Sequence, residues 1–122
     1  MERRNFDLSD TKMDLSIIIT TFNTKSLLRK AIKTILEDAE LPSCQHEIIV
    51  VDNHSSDKTA ETIKEEFPAI QLIVNDRNFG ASVARNQGIK ASKGQYILLL
   101  DSDTFIRASA IITMLSFIKQ RP

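Results

Sequence analysis

The stretch Gln95-Tyr-Ile-Leu-Leu-Leu-Asp-Ser-Asp103 holds an unbroken apolar run that ends in two carboxylates spaced i, i+2. A short apolar run bounded by polar residues reads as a strand buried on both faces, as strands of parallel sheets are. Its abrupt change to acid implies a C-terminal tip that opens into a cleft. If that tip stays extended, Asp101 and Asp103 point to the same side, because strand side chains alternate with period two. Two carboxylates so placed repel each other unless a cation or a shared proton relieves them. Hard oxygen ligands in that number suit Mg²⁺ or Mn²⁺, with a phosphorylated ligand filling the remaining positions. Nine aspartates in 122 residues give on the order of 0.6 such triplets by chance, so the strand context carries the reading.

Upstream, strand and helix patterns alternate. Leu15–Thr20, Glu47–Val51 and Ile70–Val74 are further apolar, β-branched runs. Leu27, Leu28, Ala31, Ile32, Ile35 and Leu36 form a stripe whose other face carries Lys25, Arg29, Lys33 and Glu37, the pattern of an amphipathic helix. Ala60, Ile63 and Phe67 repeat that period after Ser55-Ser56-Asp57, which supplies capping residues. Ala81–Ala91 is a third helix, and Ile111, Met114, Leu115 and Ile118 mark a fourth. The alternation implies βαβ units, right-handed crossovers and an α/β fold with a Rossmann-like parallel sheet flanked by helices.

Length and charge narrow the function. The chain is long enough for one domain with an ordinary core. Sixteen basic and sixteen acidic residues cancel, so no long-range field favours nucleic acid or an anionic membrane. The single cysteine, Cys44, excludes an intramolecular disulfide and fits a reducing, cytoplasmic compartment. No apolar stretch approaches the length of a membrane span. Residues 1–13 lack the apolar middle of a signal peptide and read as a mobile leader, leaving 14–122 as the domain.

In a parallel sheet all strand C-termini emerge at one edge, where ligands bind at the point of reversed strand order. That edge would gather Thr20-Thr21-Phe22-Asn23, Asp52-Asn53, the segment from Asn75 to Gly80, and Asp101-Ser102-Asp103. The segments Ser16–Asn23, Glu47–Asp57, Asn78–Gly88 and Gly94–Asp103, in that order, resemble the N-terminal half of the family 2 glycosyltransferases, which have a GT-A fold. The resemblance covers residues 14 to about 120. It implies a sugar transferase that uses a nucleotide-diphosphate sugar, assisted by Mg²⁺ or Mn²⁺ and inverting in outcome. Glycan, lipid-linked or polysaccharide acceptors are implied with it, and would place the full protein peripherally at the inner membrane face.

Carried over by position, Asp52 matches the aspartate that accepts hydrogen bonds from the nucleotide base. Thr20 stands beside the base where the family often has proline, and the same strand end adds Phe22 and Asn23 to the expected donor-binding set. Asn78 matches the asparagine of the Asn-x-Gly loop. Arg85 falls in the Ala-Arg-Asn segment and could reach the diphosphate, or be structural. Asp101 faces ribose or metal, and Asp103 holds the metal. Thr104 replaces a frequent third acid, and Asn53 stands where a second aspartate is commoner. No position matches the family's catalytic base, which is expected beyond residue 122. The resemblance therefore implies a truncated sheet, donor binding without transfer, exposed apolar surface or a strand edge, and homo-oligomers formed through it.

Other α/β readings fit less well. The chain has only three glycines, Gly80, Gly88 and Gly94, and none builds a dinucleotide-binding or phosphate-binding loop after the first strand. A receiver-like signalling module would need an acidic pair after the first strand, where Thr-Thr-Phe-Asn stands. A dehalogenase-type phosphotransferase would need further acids and a lysine downstream of an early acidic pair. A structural module without ligand stays open, since fold alone does not give function.

Overall fold

In the computed structural model, residues 2–3, 13–37 and 44–121 are described. The apolar runs form four parallel strands: β2 (Leu15–Thr21), β3 (His46–Asp52), β4 (Gln71–Val74) and β5 (Tyr96–Asp101). Helices α1 (Lys25–Leu36), α2 (Thr59–Glu66) and α3 (Ala81–Ala91) connect them, and α4 (Ala108–Lys119) follows β5. Within the stretch read as a leader, Glu2–Arg3 form a short strand, β1, antiparallel to β5 at Tyr96 and Ile97. Two charged residues carry no strand pattern of their own, so this pairing was not legible. The sheet order is β1-β5-β2-β3-β4.

Period-two alternation sorts β2 onto two cores. Leu15, Ile17 and Ile19 face one side, packed with Leu28, Ile32 and Ile35 of α1, Ile63 of α2, and Ile111 and Leu115 of α4. Ile18 faces the other side with Ile49, Val51 and Ile97, against Ala84 of α3. The buried positions of α3, Ala84 and Gly88, are small, which seats the helix close against Ile18. Being covered on both faces is what demands unbroken Ile/Val/Leu runs in β2, β3 and β5. The strand β4 lies at the sheet's far edge and is half-buried or exposed along its length. Phe117 on α4 and Val74 are among the exposed large apolar side chains. No helix among the described residues is long and apolar enough to cross a membrane.

Asp57 shows how the loops are fastened. Its carboxylate accepts the Lys25 N–H (3.1 Å) at the start of α1 and the Thr59 N–H (3.2 Å) and hydroxyl at the start of α2. Burial alone would raise its pKa, but the bonds from the Thr59 hydroxyl and the two N–H groups outweigh it and hold the carboxyl below its usual value. Glu66 is lowered too, first by the hydrogen bond from Arg29, which it receives on both oxygens. Both groups ionise more readily folded than unfolded. Their stabilisation is whole above the unfolded-state values near ~4 and is lost as pH falls through the lower folded-state values. Urea midpoints should therefore fall between pH 6 and pH 3, and Asp57→Asn should reduce that fall while lowering the midpoint at pH 6. Cys44 is the reverse case: burial pushes its thiol up, Asp14 adds to this and Lys119 opposes it, which fits an unreactive thiol.

Candidate functional site

The strand order reverses between β2 and β5. From β2 the chain proceeds outward to β3 and β4, then returns across to β5 on β2's other side. Register makes the tips level: Thr20 lies opposite Asp101, and Thr21 opposite Asp52. At this switch point opens a cleft of about 430 Å³, within the range of small-molecule sites. Its walls come from the β2 end and start of α1 (Thr20, Phe22, Leu27), from the loop before α3 (Asn78, Gly80, Ala81), and from Asp101-Ser102-Asp103, with Asn53 between.

Of the expected residues, Thr20, Phe22, Asn78, Asp101 and Asp103 line this cleft, whereas Asn23, Asp52 and Arg85 do not. Asp52 is 1% exposed, and its carboxylate accepts the Ser55 hydroxyl (2.5 Å) and N–H (3.3 Å). Ser55 Oγ accepts in turn the N–H of Asn23 (2.8 Å). Asn23 adopts φ +52° and accepts the Ser56 N–H (2.7 Å), so it clips the β2 end to the loop after β3. Arg85 reaches from α3 to Asp101 Oδ1 (3.3 Å), an ion pair largely open to solvent and so worth little by itself.

One expectation needs correcting. The strand ends at Asp101, and residues 102–103 turn, closed by the Thr104 N–H donating to the Asp101 carbonyl (3.0 Å). Strand alternation therefore does not align Asp101 with Asp103; a turn separates them, and both line the cleft. Hydroxyls hold that turn: Thr24 Oγ1 lies 2.9 Å from Thr21 Oγ1 and 2.6 Å from Ser102 Oγ. Among the described residues no three His, Cys, Asp or Glu side chains converge as a metal cage. Two exposed carboxylates suit a hard divalent ion that keeps waters and takes phosphate oxygens from its ligand. They do not suit a structural zinc, which wants four protein ligands.

A network of side-chain amides backs the Asn78–Gly80 wall. Asn53 Nδ2 donates to the Gly80 carbonyl (3.0 Å), while its Oδ1 accepts the Phe79 N–H (3.2 Å) and Asn75 Nδ2 (2.9 Å). Asn75 and Gln87 exchange two bonds of 2.8 Å each. Asn53 and Asn75 stand at the strand ends where the sequence places polar residues, but nothing there signals that they bond to each other. Gln87, on a helix of mixed composition, gives no signal either.

Comparison with known proteins gives a consistent result. Residues 16–122 match the profile of Glycosyl transferase family 2. The chain is 33% identical over 109 residues to poly(ribitol-phosphate) beta-N-acetylglucosaminyltransferase TarP of Staphylococcus aureus, covering 87% of this chain and 33% of that protein. It is 31% identical over 112 residues to the poly(ribitol-phosphate) beta-glucosyltransferase of Bacillus spizizenii, covering 88% of this chain and 18% of that one. In structure it is similar to S. aureus TarS 1–349 in complex with UDP-GlcNAc, with TM-score 0.76, 24% identity, and coverage of 88% and 32%. The mannosyltransferase PcManGT of Pyrobaculum calidifontis, solved with GDP-Man and Mn²⁺, gives TM-score 0.73, 23% identity, and coverage of 90% and 32%. The chain thus spans a third or less of these proteins.

Proposed function

The chain belongs to glycosyl transferase family 2, and from that premise we propose that its cleft binds a nucleotide-diphosphate sugar for transfer to a glycan, lipid-linked or polysaccharide acceptor. The observation that carries the reading is the pairing of Asp101 and Asp103 with the Asn78–Gly80 loop across the β2–β5 switch point. A solved TarS complex contains UDP-GlcNAc, which makes a UDP-sugar the first donor to test. Relatives named for poly(ribitol-phosphate) make a polymer the first acceptor class.

Each residue then has a stated part. Asp101 and Asp103 would hold a divalent ion, Mg²⁺ or Mn²⁺, which would supply Lewis-acid stabilisation of negative charge on the diphosphate. Thr20 and Phe22 flank the base, and Asn78 faces the nucleotide from the opposite wall. Arg85 stands at the rim beside Asp101, where a cation can also meet diphosphate oxygens. Asp52 serves the base in this reading only when an imide N–H takes the place of the Ser55 hydroxyl. Asn23 acts one step removed, through Ser55 and Ser56.

Taking the acceptor proton needs a further base. Among the described residues the only carboxylates lining the cleft are the two assigned to the metal. We therefore expect the 122-residue chain to bind donor without transferring sugar. Self-association through exposed apolar surface or a strand edge, and peripheral placement at a membrane face, belong to the same proposal. Calorimetric titration with UDP, GDP and dTDP, with and without Mn²⁺, tests it. Metal-dependent binding of one nucleotide is expected; equal indifference to all three would refute donor recognition.

A further inference from the structure

We propose that Asn53, Asn75 and Gln87 are positioning residues, an amide lattice that sets the 78–81 wall of the cleft and so its affinity for the donor nucleotide. The proposal rests on the donor reading above for its function, and on geometry alone for the lattice. Three side chains from three elements join the tip of β3, the exit of β4 and the middle of α3. Asn53 and Asn75 are buried, and no buried side-chain polar atom among the described residues lacks a partner. A fully satisfied buried network of this kind holds one arrangement; a partly satisfied one does not.

The direction of every bond follows from the backbone. The Phe79 N–H demands an acceptor and the Gly80 carbonyl a donor, which fixes Asn53 with Oδ1 toward Phe79 and Nδ2 toward Gly80. Oδ1 then also accepts from Asn75 Nδ2, whose second hydrogen goes to Gln87 Oε1. Gln87 Nε2 closes the pair on Asn75 Oδ1. Each of the three side chains must donate and accept at once, which a neutral amide does and an ionised carboxylate does not. The Gly80 carbonyl also accepts the Ala84 N–H (3.2 Å), the first bond of α3. Asn53 therefore fastens both the loop and the start of the helix, next to cleft residues Gly80 and Ala81.

This gives position 53 a physical requirement for asparagine over aspartate. A carboxylate there keeps its acceptors but turns an oxygen onto the Gly80 carbonyl, which repels it. The outer member is Gln87, half-buried on α3, where alanine favours the helix and leaves the fold intact.

The test uses Asn53→Asp and Gln87→Ala, read by amide NMR of the free chain and by UDP titration with Mn²⁺. In both variants the resonances of Phe79 to Ala81 should shift while those of Ile17 to Ile19 stay. UDP affinity should drop about tenfold for N53D and severalfold for Q87A. Lowering the pH so that the introduced carboxyl of N53D is protonated restores a donor, and its Gly80–Ala81 resonances should move back toward those of the unaltered chain. Unmoved loop resonances would overturn the lattice. Shifted resonances with unchanged UDP affinity would overturn its role in binding. If the unaltered chain fails to bind UDP, the donor reading falls, and the positioning role falls with it; binding that both variants preserve would remove this proposal alone.

Discussion

Alanine at both Asp101 and Asp103 is expected to weaken Mn²⁺-dependent UDP binding by at least ~100-fold while leaving the melting temperature nearly unchanged. Among the described residues the two carboxylates are the only acids lining the cleft, so their loss removes both anionic protein ligands for a divalent ion there. Charge-assisted contacts are the strong ones, and two of them at ~1.4 kcal/mol or more each give the hundredfold factor. Stability should hold because both side chains are exposed and the Arg85–Asp101 ion pair is open to solvent. Calorimetry on the double variant, beside a thermal melt, separates the two effects. Retained metal-dependent affinity would move the metal site elsewhere. Collapse of the fold would show that the acidic turn is structural first.

Gly94→Ala should act the other way, on stability before binding. Gly94 lies where the connection from α3 enters β5, and its N–H donates to Ser16 Oγ (2.8 Å). Ser16 Oγ donates to Glu47 Oε2 (2.6 Å), which also accepts the Lys93 N–H (2.6 Å). A Cβ at position 94 would fall 2.6 Å from the Leu15 carbonyl carbon and nearer still to the Ser16 nitrogen. These are backbone atoms of the central strand and cannot swing aside. Separating β5 from β2 at their shared start should cost about 2–3 kcal/mol and lower the melting midpoint by roughly 10 °C. Ser16→Ala, which removes only the hydroxyl links, should cost about 1 kcal/mol. Equal losses in the two variants would mean the hydrogen bonds, and not the close approach, set the spacing.

Much of this arrangement was legible because burial on both faces leaves a strong trace. The strand limits read from apolar runs agree with β2, β3, β4 and β5 to within a residue or so. The switch point then follows from topology, and with it Thr20, Asn78 and Asp101 at one cleft. Signals carried by single polar residues were weaker. Ser55-Ser56-Asp57 reads as a cap, yet only Asp57 bonds to α2, while Ser55 serves Asp52 and Ser56 serves Asn23. Lys58, the residue before α2, takes φ +65° and offers no side-chain cap. Asp52 looked like a cleft residue because it ends a strand, but its outermost contact is a hydroxyl three residues on. The lattice of Asn53, Asn75 and Gln87 joins residues 22 and 12 positions apart, beyond any local pattern.

The most direct test of the account is paramagnetic broadening of amide resonances by Mn²⁺ in the presence and absence of UDP. Broadening is expected to centre on Asp101 to Asp103, to reach Thr20 and Asn78 across the cleft, and to strengthen with UDP. Broadening centred away from the β2–β5 switch point, or UDP binding that leaves those residues sharp in Mn²⁺, would contradict it.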